Sequence, residues 1–190
     1  MDESQIQTIR KIIKKKRIGT EQTTIYPLIG EGNQGAVFLL THDRCIKIYK
    51  RKHYAKRELR ALSIGQSSSI VPRLYKSGTH YIIMEYLHGP TLAEYLSKKS
   101  YLSEGVAKEI LFLLGEMNRL KFTRVDAALR HIYVMKNGKL KVIDLVNSYK
   151  KVRSKPTHLL KGLKNLGMIS EFLSHLEKLN PTLYKQWTQL

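Results

Sequence analysis

The first half of the chain alternates short β-branched and aromatic runs with glycine-rich or charged turns, a pattern typical of antiparallel strands. Five such runs are predicted as strands: 23–29, 36–41, 45–49, 73–76 and 80–85. Residues 53–64 break this pattern, because their apolar positions are spaced for one face of a helix. We therefore expect a sheet accompanied by one helix.

Helical spacing dominates the second half. Thr91 and Glu94 have the spacing of a capping box, which predicts a helix start. A longer helix follows, with one apolar face: Val106, Ile110, Leu113, Leu114, Met117 and Leu120. The Asn-Gly pair at 137–138 lies between two short apolar runs and predicts a β-hairpin. The tail, about 156–188, has helical patterns interrupted by the Asn-Pro pair at 180–181.

A basic segment precedes the first strand. Residues 4–17 carry Ile6, Ile9 and Ile13 at helical spacing, which predicts a short helix with one apolar stripe. In one interpretation the stripe docks on the body of the protein. In the other, the lysine face binds a partner or a membrane surface.

These patterns predict an α+β fold of two lobes joined near residues 86–90. The expected organisation is one minimal domain. It has a basic N-terminal helix (1–22), an N-lobe with an antiparallel sheet and one helix (23–87), and a reduced, mostly helical C-lobe (88–190).

Composition narrows the class of protein. Lysine and arginine number 34 against 15 aspartates and glutamates, a formal net charge of +19 that favours a polyanionic partner. Nucleic acid, an acidic protein and a membrane surface all stay open, although the sequence carries no nucleic-acid-binding motif. The single cysteine, Cys45, excludes an internal disulfide and a cysteine-rich zinc site. Because neither a secretory leader nor a transmembrane segment is visible, we expect a cytoplasmic protein.

Three glycines lie within six residues, at Gly30, Gly32 and Gly35. Glycine lets the backbone approach a phosphate chain closely, so that its N–H groups face the phosphate oxygens. A glycine-rich hairpin turn without a ligand fits the same pattern.

A lysine stands amid apolar residues in the third predicted strand, and a glutamate follows in the predicted helix. These are Lys47 and Glu58, eleven positions apart. A strand lysine paired with a helix glutamate holds the α- and β-phosphates of ATP in kinases. Taken singly, each residue also fits an ordinary solvent-facing charge.

Two aspartates lie at the edges of apolar segments in the second half. They are Asp126 and Asp144, eighteen positions apart. Such carboxylates can serve as a general base and as a metal ligand. Turn formation explains either aspartate alone, but not their order after Lys47 and Glu58.

Taken in order, these residues resemble the protein-kinase superfamily over about residues 25–146. The small atypical members are the most similar: RIO-like kinases, the KEOPS-complex kinase, lipopolysaccharide kinases and short bacterial serine/threonine-kinase-like proteins. The resemblance implies a bilobal kinase-like fold that binds ATP and either Mg²⁺ or Mn²⁺ between its lobes.

The resemblance also implies roles for single residues. Lys47, oriented by Glu58, would hold the phosphates of ATP. Asp126 would accept the proton of the acceptor hydroxyl, and Asp144, with His131, would bind the metal. The other residues implied to contact ATP belong to the glycine loop and the hinge: Ile29, Gly30, Glu31, Gly32, Gly35, Val37, Glu85 and Leu87.

Several positions depart from the superfamily pattern. His131 stands where a metal-binding asparagine is usual, and imidazole suits Mn²⁺ better than the oxygen-preferring Mg²⁺. Packing in the catalytic loop explains this histidine equally well. Ala128 stands where many kinases carry a lysine. Only 46 residues follow Asp144, so we expect a short or absent platform for a peptide substrate.

The sequence therefore predicts an atypical, serine/threonine-kinase-like phosphotransferase that moves the γ-phosphate of ATP to a hydroxyl of a protein or a small molecule. A pseudokinase, which binds nucleotide without transferring phosphate, is the alternative. A third hypothesis is a basic nucleic-acid-associated protein on a kinase-like scaffold, supported by the net charge alone.

Overall fold

The computed structural model describes residues 2–14, 26–150, 152 and 155–188, and the chain divides into two compact units. Unit 1 comprises Met1–Ser67 and Pro72–Leu87. Unit 2 comprises Ser68–Val71 and His88–Leu190. Helices and antiparallel strands occur together in the chain, as the predicted α+β class requires.

Unit 1 is built on one antiparallel sheet of five strands in the order β1-β2-β3-β5-β4. In the part that the structure describes, its elements are α1 (Glu3–Lys14), β1 (Leu28–Glu31), β2 (Gly35–Thr41), β3 (Arg44–Tyr49), α2 (Lys52–Gly65), β4 (Leu74–Ser77) and β5 (Tyr81–Glu85). The four later strands and α2 match their predicted positions to within two residues at each end.

One face of this sheet packs against α1. Phe38 of β2 lies opposite Ile46 of β3, and both are fully buried. Ile6 of α1 is 2% exposed and belongs to the same apolar cluster. This packing supports the interpretation in which α1 docks on the body of the protein. The side chains of Ile9 and Ile13 lie outside the described residues.

The first strand begins later than predicted. Of the predicted run 23–29, residues 23–25 lie outside the described part, and Tyr26 and Pro27 precede the strand. Proline has no N–H to donate to a ladder, and its carbonyl here accepts a bond of 2.9 Å from Leu39 N. At its other end, β1 extends through Gly30 and Glu31.

Unit 2 is mainly helical. Within its described residues, the elements are α3 (Leu92–Ser97), α4 (Glu104–Arg119), β6 (Ile132–Val134), β7 (Leu140–Val142), α5 (Thr157–Asn165), α6 (Ile169–Leu179) and α7 (Pro181–Thr188). The predicted capping box is present at the start of α3, where Thr91 accepts from Glu94 N and Glu94 reaches back to Thr91 N. The predicted hairpin is β6–β7, with Gly138 at φ 78° in its turn.

Unit 2 also contains two short 3₁₀ turns, at Leu129–His131 and Leu145–Asn147. Each lies just C-terminal to one of the two aspartates singled out from the sequence. The described helices include none that is both long and apolar enough to cross a bilayer.

Candidate functional site

The glycine segment forms the tip of the β1–β2 hairpin. Gly30 belongs to β1 and Gly35 to β2, so only the residues between the two strands form the turn. Gly32 N donates to Gly35 O at 2.9 Å and closes the turn. A Cβ on Gly35 would lie 2.0 Å from the backbone oxygen of Ile48, so the fold itself requires glycine there. A Cβ on Gly32 would meet nothing within 4 Å. Close strand packing therefore accounts for Gly35 and not for Gly32.

The flanks of this hairpin hold the other predicted contacts of the glycine segment. Gly30 pairs with Val37, and Glu31 pairs with Ala36 across the two strands. Glu31 is exposed, and Ile29 is 40% exposed. The structure therefore gathers all the predicted glycine-segment residues on one hairpin, with two of its side chains open to solvent.

Strand β3 and helix α2 bring Lys47 and Glu58 together. Lys47 Nζ lies 2.7 Å from Glu58 Oε2, and the two side chains are 13% and 3% exposed. Tyr49 is completely buried, and its hydroxyl donates to the same oxygen at 2.8 Å. One carboxylate oxygen thus receives a cationic and a phenolic donor.

Sequence reasoning did not single out Tyr49. The signal that could have found it is the period of two along a strand, which places residues 47 and 49 on one face of β3. A buried charge is costly unless it is paired and hydrogen-bonded. The tyrosine hydroxyl therefore helps to make the buried Glu58 carboxylate tolerable inside unit 1.

Cys45 lies two residues before Lys47, on the same face of β3. Burial raises the pKa of its thiol to about 12, with Lys47 lowering it and Glu58 and Glu85 raising it by smaller amounts. A thiol with that pKa stays protonated at neutral pH and is a poor nucleophile. Cys45 therefore acts as a small buried apolar residue, as its sequence context predicts.

The predicted hinge residues lie at and beyond the end of β5. Glu85 Oε2 accepts from Arg73 N at 2.9 Å, which fixes the start of β4. Tyr86 N donates to Asp43 O at 2.9 Å, and Leu87 is 6% exposed. The side chain of Glu85 thus fixes the start of β4, and the backbone N–H of Glu85 donates to Arg73 O at 2.8 Å.

Three of the predicted residues line one cavity in unit 2. Its volume is about 130 Å³. The polar and charged residues in its wall include Arg124, Asp126, His131, Asp144, Asn147 and His158. Tertiary structure therefore joins Asp126, His131 and Asp144, which the sequence spreads over eighteen positions.

Asp126 is fully engaged with the start of α5. Its Oδ1 accepts from His158 N at 2.7 Å, and its Oδ2 accepts from Thr157 Oγ1 at 3.2 Å and lies 2.5 Å from His158 Nδ1. Burial raises the pKa of Asp126. The hydrogen bonds from His158 and Thr157 lower it, and together they outweigh burial, so the pKa lies below the usual 3.8. The carboxylate is therefore ionised at neutral pH and caps the helix.

His158 also lines this cavity, and the sequence did not single it out. It lies 32 positions from Asp126, beyond a basic run, and no local pattern links the two. Only the docking of α5 places its ring in the wall of the cavity.

Asp144 has an unusual backbone. Its φ of 61° and ψ of 53° fall in the left-handed region, where residues other than glycine are uncommon. Aspartate tolerates this conformation better than most residues, and strained positions of this kind cluster at functional sites. Ile143 N donates to His131 O at 2.9 Å, which ties the chain before Asp144 to the turn that carries His131.

The donor set of the cavity suits a cation that brings its own further ligands. No three His, Cys, Asp or Glu side chains converge as a metal site within the described ranges. The residues of the wall include Asp144, Asn147 and His131, whose side chains carry carboxylate, amide and imidazole donors. Mg²⁺ in phosphate-binding sites needs only one or two protein carboxylates, because waters and phosphate oxygens complete its shell. These residues fit such an ion and do not form a closed protein cage.

Comparison with known proteins gives one distant similarity. No protein-family model matches the chain. The chain is 25% identical over 130 residues to "Putative serine/threonine-protein kinase YrzF" of Bacillus subtilis (strain 168). The matched segment covers 66% of this chain and 60% of that relative's length. This likeness supports a distant kinase-like relationship, and the α+β structure is compatible with it. The narrower resemblance to RIO, KEOPS-complex and lipopolysaccharide kinases stays a prediction.

Proposed function

We propose that the chain is an ATP-dependent phosphotransferase of the kinase-like kind, which transfers the γ-phosphate to a hydroxyl acceptor. The observation that carries the proposal is the pairing of Lys47 with Glu58 at 2.7 Å. Ion pairs withdrawn from water are weak devices for stability, because desolvation offsets most of the attraction. A buried pair of this kind on a strand and a helix is better explained by a task for the lysine, and the distant kinase relative supports the same task.

In unit 1, we assign phosphate contacts to the β1–β2 hairpin and to Lys47. Glu58 would hold the lysine in place through their ion pair, and Tyr49 would hold Glu58, so that the Lys47 ammonium could contact phosphate oxygens. The backbone at Glu85 and Leu87 would contact the adenine edge. The glycine hairpin would contribute N–H groups, for which Gly32 has open space around its Cα.

In unit 2, we assign the metal to Asp144, with His131 and Asn147 as further donors. Mg²⁺ or Mn²⁺ bound there would neutralise charge on the transferred phosphate. Arg124 adds a guanidinium to the same cavity, and its buried Nε makes no hydrogen bond to the described residues. It is placed to supply positive charge where Ala128 has replaced the lysine of many kinases. The Asp126 carboxylate would assist removal of the proton from the acceptor hydroxyl.

The test is transfer of label from γ-labelled ATP, measured separately with Mg²⁺ and Mn²⁺. Label should be followed into the chain itself, into a generic protein acceptor and into free phosphate. The key variants are K47M and D144N, because asparagine keeps the tolerance for left-handed backbone that alanine lacks. K76M and D43N are matched controls, since Lys76 is an exposed residue of β4 and Asp43 is 44% exposed in a turn.

Transfer that K47M and D144N abolish and the controls retain would establish the activity. A folded protein that binds ATP and transfers no label with either metal would instead be a pseudokinase. The identity of the acceptor would then be sought among hydroxyl compounds in the first case and among binding partners in the second. Salt-sensitive capture of RNA by the inactive protein would favour the third, nucleic-acid hypothesis.

A further inference from the structure

We propose that the proton acceptor in this transfer is Nε2 of His158, and that Asp126 acts behind it as the positioning carboxylate. The inference rests on the proposed phosphotransferase activity and refines the role expected for Asp126. It concerns residues of unit 2 alone.

Asp126 is not accessible to an acceptor hydroxyl. Its side chain is 0% exposed. Both carboxylate oxygens already accept hydrogen bonds from the first turn of α5, from His158 N and Nδ1 and from Thr157 Oγ1. A hydroxyl group could reach this carboxylate only after α5 had moved away. A general base must instead come within hydrogen-bond reach of the proton that it removes.

The tautomer of His158 follows from its contact with Asp126. Asp126 is ionised and can only accept, so His158 Nδ1 must be the protonated nitrogen of the pair. The lone pair of the neutral ring then resides on Nε2, which the ring geometry directs away from Asp126. The side chain of His158 is 48% exposed and lies in the wall of the same cavity as Asp144. A half-exposed imidazole whose Nε2 faces away from Asp126 thus lines the cavity that Asp144 also lines.

The imidazole ring of His158 is held by a packed helix and not by a loop. His158 is the second residue of α5. Leu159 and Leu163 anchor this helix and are fully buried. Gly162 allows α5 to approach the turn at Leu129, because a Cβ there would lie 2.8 Å from the leucine side chain. A base in a fixed place contributes more to the rate than one that must be ordered during the reaction.

The acceptor hydroxyl gives its proton to His158 Nε2 while its oxygen forms a bond to the γ-phosphorus. The bond between that phosphorus and the β,γ-bridging oxygen breaks, and ADP leaves with the electron pair. The resulting imidazolium is stabilised by the Asp126 carboxylate and passes its proton to water. This is the division of labour of an Asp–His pair, in which the carboxylate orients the ring and is not itself protonated.

The deciding variant is H158N. The asparagine amide can take the place of Nδ1 and still donate to Asp126, but it has no basic nitrogen in place of Nε2. General-base catalysis contributes about 10²- to 10⁴-fold, so we expect kcat of H158N to fall at least about 100-fold with little change in KM for ATP. For H158A, added imidazole should restore part of the lost rate. H42N is the control, since the side chain of His42 is 90% exposed.

The outcomes separate this inference from the function on which it rests. A wild-type chain that transfers no phosphate would overturn both. A wild-type chain that transfers phosphate, with H158N nearly as active, would overturn the inference alone, because a merely structural tether to Asp126 survives in that variant. Nitrogen NMR of the wild-type chain at pH 8 tests the inference without any variant. The Nδ1–H tautomer of His158 is expected, whereas the Nε2–H tautomer or a protonated ring would contradict it.

Discussion

Lys47 Nζ and Glu58 Oε2 are 2.7 Å apart, and both side chains are largely withdrawn from water. Replacing Lys47 by methionine removes the cationic partner of a buried glutamate. Breaking a buried pair in this way costs about 3 kcal/mol, so K47M should unfold at a clearly lower urea concentration. The triple variant K47M/Y49F/E58M removes both charges and the tyrosine hydroxyl together and should regain most of that loss, because apolar replacement of a whole buried pair is often neutral.

K76M is the matched control for this series. Lys76 is an exposed β4 residue, and changes at such positions stay within about 0.5 kcal/mol. Equal unfolding midpoints for K47M and K76M would show that the pair does not couple β3 to α2.

Gly35 and Gly32 should respond differently to alanine. A Cβ on Gly35 would overlap the backbone oxygen of Ile48 at 2.0 Å, so G35A should destabilise unit 1 by about 3 kcal/mol. A Cβ on Gly32 meets open space, and G32A should stay within about 0.5 kcal/mol of the parent. Thermal unfolding measures both. If the hairpin binds phosphates, G32A should still weaken ATP binding, and an unchanged affinity would speak against that contact.

Asp126 should make stability depend on pH in the acid range. Its folded pKa is lower than that of an unfolded aspartate, near 3.9, because the hydrogen bonds from α5 outweigh burial. Its contribution is therefore complete above the unfolded pKa and is lost as pH falls through the folded pKa. Urea unfolding of the wild-type chain and D126N between pH 7 and 2.5 measures this difference. The wild type should lose more stability below about pH 4; parallel curves would contradict the assignment.

Cys45 should resist alkylation in the folded protein. Burial raises the pKa of its thiol to about 12, and its residue exposure is 6%. Iodoacetamide at pH 8 should label it slowly in the native chain and rapidly in urea. Mass spectrometry gives the labelled fraction at each time. Rapid labelling without denaturant would show that β3 opens easily and would weaken the case for a rigid Lys47.

The sequence predicted local structure well wherever the signal was local. The Thr91–Glu94 capping box and the hairpin at Gly138 appear as expected, because each depends on residues a few positions apart. The start of β1 was predicted too early, since propensity alone does not register that Pro27 cannot donate to the ladder.

For the candidate site, the sequence alone selected Lys47, Glu58, Asp126 and Asp144 and the order in which they occur. Spacing could pair Lys47 with Glu58 because a strand and the helix after it are neighbours along the chain. Their roles stay predictions until transfer is measured.

Only tertiary structure decided what surrounds these residues. The contact of Asp126 with His158 spans 32 positions and depends on α5 docking against the turn at Leu129, where Gly162 permits close approach. Residues that far apart meet through the packing of helices, and that packing leaves no short motif in the sequence. The sequence by itself thus determined which charged residues unit 1 and unit 2 carry. The fold determined that the side chain of Asp126 is buried and that His158 lines the cavity.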